Sequence, residues 1–231
     1  KRYFEIIEPV LKKYGVPDDF KYLAMAESGF ENAVSPAKAV GVWQILETTA
    51  EEYGLEVNEN VDERYHLEKS TEVACKYLLE SYKKYGSWTM AAATYNAGRN
   101  GLDKQILKQK TENYYDLLLN EETARYVFRL IAHKLITEKP DEYGFHMNED
   151  DYYPVLATHE FKVDTAITDI AAFALSQTTN YKIVKQLNPW LRQNFLPDHA
   201  KKVYTIILPD AGERSVMQSP EQNPESPGEK N

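Results

Sequence analysis

The chain has 231 residues, 42% of them hydrophobic, which suits one helical domain with a small appendage. Its formal charge of -9 argues against a sequence-independent nucleic-acid binder, which needs a basic face. The single cysteine, Cys75, excludes an intrachain disulfide framework and any multi-cysteine zinc site.

From Tyr3 to about Pro140 the apolar residues recur at helical intervals. Phe4, Ile7, Val10 or Leu11 and Tyr14 form a first stripe, closed by Gly15 and Pro17. Asp18 is placed to cap a second helix, which carries Phe20, Leu23 and Glu27 on one face and stops at Gly29. Thr48 and Glu51 have capping-box spacing before a short helix ending at Gly54. A longer helix is expected from Ser70 to Tyr85, with Cys75 in a packing role. Another runs from Trp88 to Ala97, where Ala91, Ala92 and Ala93 permit close helix approach. The spacing predicts a further helix from about Glu121 to Glu138, with Tyr126, Leu130, Ile131 and Leu135 inward, and Pro140 ends it.

The pattern changes after that proline. Residues 141–154 are polar, aromatic and punctuated, and read as a connector. Strands are expected at 160–163 and 203–207, flanking helical runs from about Ala166 to Leu175 and Tyr181 to Leu187. From Glu213 onward Glu, Ser, Pro and Gln dominate, and disorder is expected. The expected fold is therefore mainly α: a helical domain over 1–150, a small α+β module of strand-helix-helix-strand order over 155–212, and a polar tail over 213–231. No stretch approaches the roughly 18 consecutive apolar residues that span a membrane, and no signal-like segment follows Lys1. The chain reads as soluble, mature or truncated, with any export signal or lipid anchor outside this sequence.

Glu27 ends an apolar helical run, Leu23-Ala24-Met25-Ala26-Glu27-Ser28-Gly29-Phe30. Met25, Ala26 and Phe30 surround its carboxyl with apolar surface, the setting that keeps an acid protonated near neutral pH. Ser28 and Gly29 leave the helix end open to a ligand. Taken alone, the residue also fits an ordinary helix-end glutamate. Two further segments accompany it, Gly41-Val42-Trp43-Gln44-Ile45 and Ala93-Thr94-Tyr95-Asn96-Ala97-Gly98. A glycine lets backbone approach a ligand, and a glutamine amide both donates and accepts.

In order and content these segments, with Glu122-Thr123-Ala124-Arg125-Tyr126-Val127 as a fourth, resemble the lytic transglycosylase family over roughly two thirds of the chain. The Trp-Gln form, Val61-Asp62-Glu63-Arg64 and the C-terminal module look most like its membrane-bound type D group. The strand-helix-helix-strand piece, with Ile170-Ala171, Leu187-Asn188-Pro189 and Ile206-Ile207-Leu208-Pro209, resembles the LysM module. It lacks the usual Gly-Asp-Thr after the first strand, and Trp190 to His199 lengthens its second connection. Glycan binding and a spacer role both stay open for it. Two further departures are Tyr65-His66, where relatives often have an acidic residue, and Arg99-Asn100-Gly101 in place of a Gly-Pro turn.

The resemblance implies a lysozyme-like fold and cleavage of peptidoglycan glycan strands between N-acetylmuramic acid and N-acetylglucosamine. It implies Glu27 as the sole acid and base. That residue protonates the glycosidic oxygen while the acetamido group stabilises the anomeric carbon, then takes the proton of the muramic acid 6-hydroxyl, leaving a 1,6-anhydro sugar. Ser28, Gln44, Tyr95, Asn96 and Tyr126 are the substrate-binding candidates it implies, and Trp43 is open between cleft wall and core. The implied partner is the peptidoglycan glycan strand, with no nucleic acid, no cofactor and no metal. His66, His133, His146, His159 and His199 are scattered without metal-ligand spacing. The implied location is the bacterial periplasm or cell envelope, with any outer-membrane attachment made by a segment outside this sequence.

Hydrolases usually pair two carboxylates roughly 5 to 9.5 Å apart. Asp62 and Glu63 read as an ion-pair or cap cluster with Arg64, while Glu31 and Glu47 are further candidates. A hydrolytic muramidase of goose-lysozyme type and a non-catalytic glycan-binding protein therefore stay as alternatives.

Overall fold

Ile7, Val10 and Leu11 are buried along one face of α1, Phe4–Tyr14, which ends where Gly15 turns left-handed. The structure is a computed structural model that describes residues 2–153, 155–198, 202–211 and 213, so the tail beyond Glu213 and His199 lie outside the described residues. It divides into two compact units, Lys1–Pro154 and Val155–Asn231.

In the first unit a 3-10 turn, Asp18–Phe20, precedes α2, Lys21–Ser28. Asp18 therefore does not cap α2, and its carboxylate instead holds Lys21 Nζ at 2.6 Å, shared with Glu8 at 2.7 Å. The capping box is also overridden. Ile45 and Val40 exchange backbone hydrogen bonds, and α3, Glu47–Glu52, starts at Leu46 with no side-chain cap. Helix α4, Leu67–Tyr85, begins three residues earlier than expected, behind an extended His66. Ser87 accepts from the Met90 N–H and opens α5, Trp88–Ala97.

Met90 to Thr94 are buried without a break, so the middle of α5 is enclosed on all sides and its alanines let α4 and α7, Glu121–Glu138, close on it. Sequence reasoning missed α6, Arg99–Gln109, in which Leu102 is the buried residue. Helix α7 spans Glu121–Glu138 and is capped by Asn120. Its inward face differs from the expected one: Ile131 and Leu135 are 44% and 39% exposed. The reason is polar: Lys134 pairs with Asp19 and Glu138 accepts from Tyr22, which turns the neighbouring apolar positions outward.

In the second unit β1, Thr158–Val163, pairs antiparallel with β2, Tyr204–Pro209, from Thr158 opposite Pro209 to Val163 opposite Tyr204. Between them lie α8, Ile170–Ser176, and α9, Tyr181–Leu187. Helix α8 starts later than expected because Ile167 is held in a bridge to Leu196, and Asp169 then caps the helix. Asn188 is fully buried and joins the connection to the sheet, donating to Ile207 O and accepting from Ile207 N, both at 2.8 Å. Among the described residues no helix is long and apolar enough to cross a membrane.

Candidate active site

Glu27 occupies the last turn of α2, which Gly29 closes with a left-handed φ of 63°. Helix α7 packs along α2 and brings the fully buried Tyr126 to the carboxyl, where its phenol donates to Glu27 Oε1. Burial pushes the Glu27 carboxyl above the ordinary carboxylate range. The Tyr126 hydrogen bond and the Arg129 charge pull it back down, and the Glu122 charge adds to the rise. Arg129 is also tied to α2 through a 3.0 Å hydrogen bond to Ala26 O. The arrangement suits a group that holds a proton and then releases it, since a donor and a cation stand ready for the anion.

The loop after α2 is fastened from two sides. Ser28 Oγ donates to Val42 O at 2.8 Å, and Tyr95 on α5 donates to Trp43 O at 2.9 Å. Both hydroxyl protons are thus engaged within the protein. Trp43 itself is a core residue, 0% exposed, with its indole N–H on Thr71 Oγ1 at 2.7 Å. Tyr95 lies close enough to Glu27 that the carboxylate charge, after burial, helps push its phenol well above the ordinary range.

Gly41 has a φ of 79°, and a Cβ there would stand 2.4 Å from Arg64 O. That close approach lets the turn bring Gln44 round, itself left-handed at φ 48°. The Gln44 amide nitrogen donates to Gly41 O at 2.9 Å and Ala33 O at 3.1 Å. Among the described residues its Oε1 has no donor, leaving the carbonyl oxygen for a ligand N–H or O–H. Asn96 donates to Glu122 Oε1 at 3.0 Å and accepts from Thr123 Oγ1 at 2.8 Å, joining α5 to the start of α7.

The carboxylates that could act beside Glu27 are differently employed. Asp62 is buried against Arg64 at 2.8 Å, and Glu63 holds Lys69 at 2.5 Å and the Glu56 N–H at 2.8 Å. Glu31 and Glu47 are exposed. Sequence reasoning missed Glu122 and Arg129 as electrostatic neighbours of Glu27. Their spacing from Tyr126, four residues before and three after, puts all three on one face of α7, the signal that could have found them. Arg99 lies over the Tyr77 ring at 4.1 Å and donates to Tyr77 O and Ser81 Oγ, both at 3.0 Å. Arg99 therefore ties α6 to α4. Burial holds the His66 imidazole down at about 4. Among the described residues no three His, Cys, Asp or Glu side chains converge as a metal site requires.

Comparison with known proteins matches residues 5–118 to the Transglycosylase SLT domain and residues 159–212 to the Soluble lytic transglycosylase C-terminal LysM-like domain. Membrane-bound lytic murein transglycosylase D of Escherichia coli strain K12 is 29% identical over 180 residues, covering 74% of this chain and 40% of the relative. The protein of that name from Escherichia coli O6:H1 strain CFT073 matches to the same extent. The chain thus spans less than half the length of these relatives. A solved structure of an inactive mutant of lytic transglycosylase Slt from Pseudomonas aeruginosa aligns with a TM-score of 0.49 and 16% identity, covering 65% of this chain and 26% of that one.

Proposed function

We propose, from the premise that this chain carries a transglycosylase SLT domain followed by a lytic-transglycosylase LysM-like domain, that it cleaves the glycan strands of bacterial peptidoglycan without water. The bond is the β-1,4 link from N-acetylmuramic acid to N-acetylglucosamine, and Glu27 is the sole acid and base. The observation that carries this reading is the Glu27 carboxyl, buried to hold a proton at the ligand end of α2 yet contacted by the Tyr126 phenol. Glu27 gives its proton to the glycosidic oxygen, and the sugar's own acetamido group supports the anomeric carbon. Glu27, now a carboxylate stabilised by Tyr126 and Arg129, then removes the 6-hydroxyl proton as that oxygen closes on the anomeric carbon. Atoms balance with no water consumed.

Gln44 Oε1 is assigned to a substrate N–H or O–H. Ser28, Tyr95 and Asn96 support that surface through the bonds that hold the 41–45 loop and the start of α7. The site of action is the cell envelope, where the substrate lies. Digestion of purified peptidoglycan followed by mass spectrometry tests the proposal. Muropeptides lighter by one water than hydrolytic products are expected. Reducing-end muramic acid alone would establish a muramidase instead, and no release at all would leave a glycan-binding protein.

A further inference from the structure

Arg99 opens α6, away from the residues that contact Glu27, and four residues converge on its guanidinium, which is 26% exposed. Its Nε donates to Ser81 Oγ and its Nη2 to Tyr77 O, both at 3.0 Å. Nη2 also lies 3.1 Å from the Tyr53 hydroxyl and 2.9 Å from Glu80 Oε2, and that hydroxyl donates to Glu80 Oε2 at 2.6 Å. The cation stands 4.1 Å over the Tyr77 ring, inside cation–π range. The bonds to Ser81 and Tyr77 O join α6 to α4. The contacts with the Tyr77 ring and with Tyr53 lead elsewhere.

Both lead to the 41–45 loop. The Tyr77 ring meets Tyr95 edge-on, 5.5 Å between centroids and 81° from parallel, and the Tyr77 hydroxyl is fixed on Thr94 O at 2.9 Å. Tyr95 in turn donates to Trp43 O at 2.9 Å, the carbonyl immediately before Gln44. On the other route, Tyr53 closes α3, the helix that starts two residues after Ile45, and its backbone N–H donates to Thr49 O at 3.1 Å. The loop is thus gripped at Trp43 and again just beyond its end, and one guanidinium joins the two grips. A lysine ammonium could sit over the ring, but it lacks the fork that reaches Ser81, Tyr77 O and Tyr53 in separate directions.

We propose that Arg99 is a positioning residue for substrate binding: through Tyr77 and Tyr95, and through Tyr53, it fixes the 41–45 loop so that the Gln44 carbonyl oxygen is presented in one place. This rests on the assignment of Gln44 to substrate in the peptidoglycan reading. Glu27, Tyr126 and Arg129 are joined by contacts between α2 and α7 that Arg99 does not enter. Loss of Arg99 therefore weakens substrate binding and leaves the acid as it was.

Two measurements on the whole chain test this, and the first needs no substrate. The Gln44 and Ile45 N–H groups are bonded to Gly41 O and Val40 O at 3.2 and 3.1 Å, and the Gly29 N–H at the end of α2 is bonded to Met25 O at 2.8 Å. In amide hydrogen exchange followed by NMR, Arg99→Met is expected to speed Gln44 and Ile45 at least about tenfold and to leave Gly29 unchanged. Acceleration of all three by one factor, or of none, overturns the proposal. The second is cleavage of soluble glycan strands, where Arg99→Met should raise KM at least about fivefold, with kcat within about twofold of wild type and the alkaline limb of the pH-rate profile unmoved. Added to Gln44→Ala, it should cost less than about twofold more, because the contact it serves is already gone. An equal loss in both backgrounds, or a fall in kcat at constant KM, overturns the proposal. Arg99→Lys should lie between wild type and Arg99→Met in both measurements. Should Arg99→Met fail to fold, Arg99→Lys and Tyr77→Leu, which cuts only the ring route, carry the same two readouts. A wild type that cleaves nothing bears on the enzyme reading, and the exchange ratios then decide the role of Arg99.

Discussion

Glu27 is held by opposing effects, and each predicts a measurable consequence. Burial raises its pKa in the folded state, so just above the ordinary carboxyl range the folded protein keeps a proton that the unfolded chain has released. Stability from this group is therefore highest below that window, falls as pH rises through it, and is level above. Glu27→Gln is neutral at every pH and still accepts from Tyr126. It is expected to melt above wild type at about pH 8 and level with it at about pH 4, while losing at least about a hundredfold in glycan cleavage. A variant that melts below wild type at both values would count against burial as the dominant effect. Arg129 acts in the other direction, since its charge favours the carboxylate. Arg129→Met should move the alkaline limb of the pH-rate profile upward, because the acid then keeps its proton to higher pH, and Arg129→Lys should move it back. An unmoved limb with lower rate at every pH would reduce Arg129 to its hydrogen bond on Ala26.

At the scale of elements, the site depends on how closely the 41–45 loop can approach the chain around Arg64. A methyl group on Gly41 would meet Arg64 O at 2.4 Å, and the residue would also be left-handed at φ 79°. Gly41→Ala should cost about 2–4 kcal/mol in a urea titration and weaken cleavage, since the clash is with backbone that cannot rotate away. Loss of less than about 1 kcal/mol would mean that the loop shifts freely and that its place beside α2 is not fixed.

The same dependence on packing explains what the sequence made legible. Helices α1, α5 and α7 were readable because their ends are local: Gly15 stops the first, Ser87 opens the second, and Pro140 bars extension of the third. Asp18 and the Thr48–Glu51 pair carry cap chemistry but lose to competing contacts, the local ion pair with Lys21 in one case and the Val40–Ile45 bridge in the other. Helix α6 was invisible because it opens Arg-Asn-Gly and buries only Leu102. Glu27 and Tyr126 stand 99 residues apart, and short segments pointed to both. The spacing of Glu122 and Arg129 from Tyr126 places them on one face of α7, but what that face meets is decided only when α7 docks on α2.

The whole molecule consists of two units, each with its own means of staying folded. The first has a core shared by α1, α2, α4, α5 and α7. The second has a six-residue strand pair, buried Ile170, Ile183 and Ile206, and the Asn188 side chain joined to β2. The residues that surround Glu27 all belong to the first unit. A chain ending at residue 154 is therefore expected to fold and to cleave short soluble glycan strands at the rate of the whole chain. Insoluble peptidoglycan is a different substrate, because it offers many sites at once. A second glycan-binding unit on the same chain would then raise retention through effective concentration, by about 10²–10⁴ where geometry allows both to engage. Cosedimentation with insoluble peptidoglycan should accordingly fall at least about tenfold in the shortened chain, with soluble-strand turnover unchanged. Unchanged cosedimentation would make the LysM-like unit a spacer. Lost turnover on soluble strands would show that the first unit needs the second to hold its active form, because diffusion to a short strand requires no retention.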